Sequence, residues 1–207
     1  LVDYAATQEQ SDRFAMLVNS LKASGIDIPY IHLANSAALL SMPQSPFSMG
    51  RPGAVLYGLP ASPEMLNPPS IKPVLAWKTR LVQVKSLPAG LDVPSGGALY
   101  TRIDAIVGVI PIGYAQGFRA GPRNWGEVLV RGQFAPVIGR VGMDQSMVGL
   151  GAIEGAQVGD EVVLIGTSGD NSIGIEAIAR RLDISCTEVL AGLSAGVPRI
   201  VMSTYGG

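Results

Sequence analysis

One cysteine and one histidine in 207 residues exclude several kinds of chemistry at once. With Cys186 alone there is no internal disulfide and no thiol pair at metal-binding spacing, so this residue is expected to serve as buried packing. With His32 alone, any triad, proton shuttle or metal cluster that needs two histidines within the chain is ruled out. Charge is sparse as well, at 15% of residues, and nearly balanced, with 15 Lys+Arg against 16 Asp+Glu. No basic cluster shows along the sequence, which argues against a nucleic acid or an anionic membrane surface as the main partner. No apolar run approaches the ~20 residues that span a bilayer, and the first residues show neither a basic n-region nor an apolar h-region. A soluble, cytoplasmic protein is the expectation. What the chain does have is apolar residues, 47% of the total, ample for a core in one large domain or two small ones.

The first third patterns as α/β. Thr7 followed three residues later by Gln10 is a capping-box pattern, and Phe14, Leu17, Val18 and Leu21 recur at helical spacing until Gly25, which predicts an amphipathic helix over roughly 8–23. Residues 26–33 read as a short apolar strand, Asn35-Ser36 as the cap of a second helix from about Ala37, and residues 54–57 as a further strand behind Arg51-Pro52-Gly53. Strand, helix and strand at this spacing suggest the end of a parallel α/β arrangement. Between Leu59 and Pro73, five prolines remove backbone donors and forbid a helix interior, placing a domain boundary near residue 68.

Beyond that point β-type runs dominate, at 76–84, 105–110, 127–130, 134–140, 146–150 and 161–165, punctuated by Gly, Pro and Asp as in an antiparallel barrel or sandwich. Two helices follow, one capped by Ser172 with Ile175, Ile178, Ala179 and Leu182 on one face, the other over about 186–194.

Ser36 stands where a strand gives way to a helix, a place where free backbone N–H groups and the helix dipole favour an anion. Gly53 lets a backbone approach a ligand without a Cβ in the way. As the last two strands of a barrel, these would match the phosphate site that such barrels commonly build after strands seven and eight. Taken singly, they read as an ordinary N-cap and an ordinary loop glycine; their joint occurrence with the later motifs favours the phosphate site.

Four separated motifs share one resemblance. His32-Leu33-Ala34-Asn35-Ser36-Ala37-Ala38, Arg51-Pro52-Gly53, Gly113-Tyr114-Ala115-Gln116-Gly117-Phe118 and Gly139-Arg140-Val141-Gly142-Met143-Asp144-Gln145 occur in the order and at the spacing of the second half of alanine racemases. The resemblance implies the end of a (β/α)8 TIM-type barrel over 1–68, followed by a β-rich barrel or sandwich domain over 69–207. It also implies pyridoxal 5′-phosphate as cofactor, alanine as substrate, D-alanine supply to peptidoglycan, and a homodimer with shared active sites. The phosphate would lie on Ser36, Gly53 and Ala54. Arg51 would face the pyridine nitrogen without handing over its proton, since a guanidinium is a very weak acid, and His32 would orient that guanidinium. Tyr114 would be one of the two acid/base groups that racemisation needs on opposite faces of the α-carbon. A phenol with an ordinary pKa of ~10 needs nearby positive charge to act near neutrality, and Arg119, Arg123 and Arg140 are candidates. Met143 would receive the substrate carboxylate on its backbone N–H, with Asp144 beside it as an orienting partner.

The chain departs from the family in three respects. The cofactor-bearing lysine belongs to an N-terminal motif that surrounds none of Lys22, Lys72, Lys78 or Lys85, so the chain reads as the back half of an enzyme, inactive alone. Gln116 stands where aspartate is common. Ala195 and Gly196 replace a frequent tyrosine and arginine. Two other readings share the motifs: a non-catalytic module derived from a racemase that dimerises or binds a ligand, and a racemase for serine or another small amino acid.

Overall fold

A computed structural model describes residues 4–41, 47–59, 70–90, 92–93, 99–100 and 103–202. Contacts divide the chain into two compact units, Leu1–Val74 and Leu75–Gly207. The proline-rich stretch 60–69, with the boundary expected near residue 68, lies outside the described residues.

In the first unit α1 (Tyr4–Ala23) starts before Thr7, so Thr7 lies inside the helix. Ala5 and Ala6 are strong helix formers and carry the helix past that cap signal. Gly25 ends it at φ +80°, with Gly25 N–H donating to Lys22 O at 3.0 Å and Ile26 N–H to Leu21 O at 3.0 Å, the paired bonds that close a helix on a left-handed residue. Of the expected apolar face, Val18 is buried whereas Leu17 is exposed.

The strand expected over 26–33 is confined to its end. β1 (His32–Asn35) pairs in parallel with β2 (Met49–Arg51), and α2 (Ser36–Ser41) lies between them in sequence. Only three residues of β2 are available for pairing, and Pro29 has no N–H to offer, so residues 26–31 gain no ladder. Residues 54–57 are a 3-10 helix rather than a strand, with Leu56 N–H bonded to Gly53 O and Gly58 N–H to Val55 O, both at 3.0 Å. The strand lies just upstream and takes in Arg51. A four-residue apolar run does not discriminate the two by periodicity.

The second unit is a curled sheet of eight strands. β3 (Trp77–Arg80) and β4 (Gln83–Leu87) occupy the run expected as one strand over 76–84, broken at Leu81-Val82. The small hairpin β5 (Asp92–Val93) and β6 (Leu99–Tyr100) precedes β7 (Ala105–Ile110), β8 (Glu127–Val130), β9 (Gln133–Ile138), β10 (Ser146–Gly149), β11 (Glu161–Ser168) and β12 (Asn171–Ile173). From β4 the pairing runs through β7, β10, β9, β8 and β11, and β3 pairs the far side of β11. Leu81 N–H bonds to Asp160 O at 2.9 Å and Val82 N–H to Val109 O at 2.9 Å. One continuous segment therefore bonds to both ends of the path and closes it into a barrel, which removes exposed edges.

The core shows why these residues form strands. Val128, Leu129 and Val130 of β8 and Val162, Val163 and Leu164 of β11 are all fully buried, so these strands read as continuous apolar runs. Trp77, Phe118 and Trp125 pack together with centroids 5.1 to 6.2 Å apart. The Trp125 indole N–H donates to Leu164 O at 3.1 Å in the buried interior. Trp125→Phe leaves that carbonyl without the donor and is expected to cost about 1–3 kcal/mol, read as a lower urea midpoint at unchanged slope with Trp77 as the remaining fluorophore. An unshifted midpoint would show the bond to contribute nothing net.

α3 (Ile175–Leu182) and α4 (Cys186–Ala191) complete the unit. Ile175, Ile178, Ala179 and Leu182 form the buried face of α3, but Ser172 pairs with Thr167 inside the β11–β12 hairpin and Gly174 is the N-cap instead. Ser185 caps α4, its hydroxyl accepting from Glu188 N–H at 3.1 Å. Cys186 is half-buried, not core. Burial first, and the negative charge of Glu176 second, push its thiol pKa up from the ordinary value, which keeps it in the less reactive protonated form.

Candidate active site

Two loops of the second unit meet. One follows β7 and carries Tyr114–Gln116 as a single 3-10 turn, and the other joins β9 to β10. Tyr114 N–H donates to Gly142 O at 3.0 Å and Ala115 N–H to Met143 O at 2.9 Å. Gly113 makes this approach possible, since a Cβ there would come within 2.3 Å of Gly142 O and 2.4 Å of the Met143 carbonyl carbon. The Gln116 side chain closes the turn, its Oε1 accepting from Gly113 N–H at 2.9 Å. An amide oxygen thus fills the place a carboxylate oxygen would take, and the turn loses a formal charge without losing its acceptor. Buried Ser146 donates to Ile112 O at 2.7 Å and ties the base of one loop to the start of β10. Nothing in the sequence singles out that serine; its role depends on which face of β10 turns inward.

The segment after α4 supports the turn from the other side. Ser194 N–H donates to Gln116 O at 3.2 Å, and Gly117, at φ +98°, lies so close to Gly192 that a Cβ would be 2.3 Å from its carbonyl oxygen. Arg119 pairs with Glu188 of α4 at 3.3 Å. Ala195 is exposed, and Gly196 N–H donates to Ser194 Oγ at 3.2 Å.

On this framework Tyr114 and Met143 are both exposed, at 54% and 60%. Among the described residues the Tyr114 hydroxyl has no hydrogen-bond partner, and neither does the Met143 backbone N–H. The loops hold a phenol and a free backbone donor on neighbouring, mutually bonded segments. Asp144 is exposed and makes no hydrogen bond among the described residues. Of the arginines considered as neighbours of Tyr114, Arg119 is engaged with Glu188 and Arg123 with the carbonyl of Arg181 at 3.4 Å.

The first unit assembles a second group of residues. Ser36 opens α2 and is 8% exposed, and its Oγ accepts from Gly53 N–H at 2.8 Å. Asn35 Oδ1 accepts from Ala38 N–H at 3.0 Å, so Asn35 is the side-chain cap. Arg51 Nη2 donates to Leu33 O at 3.1 Å. The guanidinium is therefore pinned by a backbone carbonyl of the neighbouring strand, a partner no side-chain pattern reveals. His32 is exposed, pairs in register with Met49, and has no hydrogen bond to Arg51.

The loops that carry Tyr114 and Met143 lie within residues 74–201, which match the family described as alanine racemase, C-terminal domain. The chain belongs to the alanine racemase family. Residues 2–61 match the alanine racemase N-terminal domain. The chain is 41% identical over 205 residues to the alanine racemase of Halothermothrix orenii, covering 99% of this chain and 54% of that protein. With the alanine racemase of Desulfovibrio desulfuricans the identity is 40%, over 96% of this chain and 53% of the relative. Among solved structures, alanine racemase from Bacillus anthracis with bound L-Ala-P superposes with a TM-score of 0.84 at 29% identity, over 98% of this chain and 52% of that one. The chain spans about half the length of the alanine racemases it matches. Among the described residues no helix is long and apolar enough to cross a membrane.

Proposed function

We propose that this chain supplies the cofactor-phosphate cradle and one acid/base group of a pyridoxal-phosphate-dependent racemase acting on alanine. The observation that carries the reading is the pairing of Tyr114 and Met143 on loops stitched by two backbone hydrogen bonds, with the Met143 N–H left free.

The residues of the first unit fit the cofactor. Ser36 Oγ accepts from Gly53 N–H and so keeps its own hydrogen for a phosphate oxygen. Ala54 opens the 3-10 helix with an N–H that has no acceptor among the described residues. A Cβ at Gly53 would only touch Ser36 Oγ, at 3.9 Å, so the backbone there is open to a ligand. When bound, pyridoxal phosphate supplies an electron-accepting ring that stabilises negative charge at the substrate α-carbon.

Arg51, held by Leu33 O, would offer its remaining N–H groups to the ring nitrogen as a hydrogen-bond donor. Met143 N–H holds the substrate carboxylate, and a backbone donor does so whatever the side chain is. Tyr114 moves a proton at one face of the α-carbon. The opposite face needs a second group, which in this reading is the cofactor-bearing lysine. Tyr114 and Met143 serve the cofactor held by a second subunit, so the active form is a homodimer. The product is D-alanine for peptidoglycan, made in the cytoplasm.

The test fuses residues 1–207 behind the N-terminal half of the Halothermothrix orenii relative. The 207-residue chain alone is expected to show no alanine racemisation, and the fusion to show activity dependent on pyridoxal phosphate. A folded, dimeric fusion that binds pyridoxal phosphate but leaves alanine unchanged would overturn the reading.

A further inference from the structure

The β-barrel unit gathers positive charge that the linear sequence disperses. A groove of about 730 Å³ lies between the loop at 120–124, Gly139-Arg140 and the last turn of α3, and its walls carry Arg123, Arg140, Arg180 and Arg181 with no carboxylate among the described lining residues. For a chain with a formal charge of −1 this is a strong local excess.

Four cations elsewhere have carboxylate partners, while Arg51, Arg80 and Arg199 are held by backbone carbonyls. Arg13 pairs with Glu9, Lys78 with Glu161, Arg119 with Glu188 and Arg131 with Asp160. In the groove the partners are neutral or absent. Arg181 donates from Nε to Asn124 O at 3.1 Å and from Nη2 to Asn124 Oδ1 at 3.4 Å, and Arg123 donates to Arg181 O at 3.4 Å. The Arg140 and Arg180 side chains have no hydrogen bond or ion pair among the described residues. Neutral acceptors orient Arg123 and Arg181 without cancelling their charge, so none of the four charges on the groove walls is neutralised by an ion pair among the described residues.

The placement is also built into the backbone. Gly126 sits at φ +95°, and a Cβ there would come within 2.2 Å of Arg181 Nε, so the guanidinium lies directly over the bare backbone. Asn124 Oδ1 accepts from Gly126 N–H at 3.1 Å as well as from Arg181, which locks loop and side chain together.

We propose that this groove binds an oligophosphate anion, a chain of two or three phosphoryl groups either free or carried by a nucleotide. Guanidinium forks match phosphoryl oxygens in pairs, four of them exceed what a single monoanion would use, and the volume exceeds that of one phosphate. The groove shares no residue with the Ser36 cradle, and the inference does not depend on the racemase reading.

Isothermal titration calorimetry with tripolyphosphate on the 207-residue chain tests it. One binding event is expected that weakens with added salt. It should weaken about tenfold or more in each of Arg140→Ala and Arg180→Ala and disappear in the double variant. Both side chains lack partners, so the folded state should be spared, which circular dichroism melting verifies. Arg13→Ala, in α1, should bind as the parent does. A titration with ATP separates the sources: equal affinity assigns recognition to the phosphate chain alone, and tighter binding adds a contact to the nucleoside, each in keeping with the proposal. Retention of full affinity in the folded double variant would overturn it. So would an oligonucleotide binding far more tightly than tripolyphosphate, which would make the groove a nucleic-acid surface.

Discussion

Tyr114→Phe in the active fusion is expected to lower alanine racemisation by about 10²- to 10⁴-fold, the range for loss of a general acid/base. The substitution removes one hydroxyl that has no hydrogen-bond partner among the described residues, while the turn beneath it is held by backbone bonds and by Gln116. Thermal stability and cofactor absorption should therefore be unchanged. The effect should also be one-sided. If Tyr114 serves only one face of the α-carbon, as proposed, solvent deuterium incorporation should fall far more for one enantiomer of alanine than for the other. Equal retention of exchange from both enantiomers would remove Tyr114 from the mechanism.

Mixing two inactive variants should restore activity. One fusion lacks its cofactor-bearing lysine and the other carries Tyr114→Phe; each homodimer is defective at both sites. If Tyr114 acts across the subunit interface, a heterodimer holds one site that has lost both groups and one that has kept both. Random pairing of equal amounts should then return about a quarter of the parent activity per site for independent sites, an expectation from two-fold symmetric assembly. Native mass spectrometry would verify that heterodimers have formed. Heterodimers without activity would mean that Tyr114 serves the cofactor of its own subunit.

Much of the barrel could be read from the chain because its signal is local. β7 and β8 run over the residues expected, since Val and Ile runs of that length bounded by Gly, Pro and Asp have few alternatives to a buried strand. The run Gly113-Tyr114-Ala115-Gln116-Gly117 stood out in the sequence only as a family motif; that its two glycines lie where backbone approaches backbone came from the structure. The first unit was read less accurately. Residues 26–31 have the composition of a strand but no partner strand among the described residues, and residues 54–57 wind into a 3-10 helix stabilised by Gly53 and Gly58. Propensity proposes a strand, and pairing decides whether it exists.

The sequence by itself determined the family, the order of its motifs and the chemistry open to Tyr114, Arg51 and Met143, because side-chain pKa, hydrogen-bonding capacity and glycine's freedom belong to the residues wherever they lie. It left other matters to the tertiary structure. That Arg51 is held by Leu33 O rather than by His32 follows from the register of β1 against β2. That β3 and β4 close the barrel follows from Leu81 and Val82 bonding to opposite ends of the sheet path. The sequence shows no basic cluster, yet Arg123, Arg140, Arg180 and Arg181 line one groove, since α3 packs its last turn beside loops far away in the chain. Charge density is a property of distances in space, and those arise only once the β-barrel has closed and α3 has buried Ile178 and Leu182 against it.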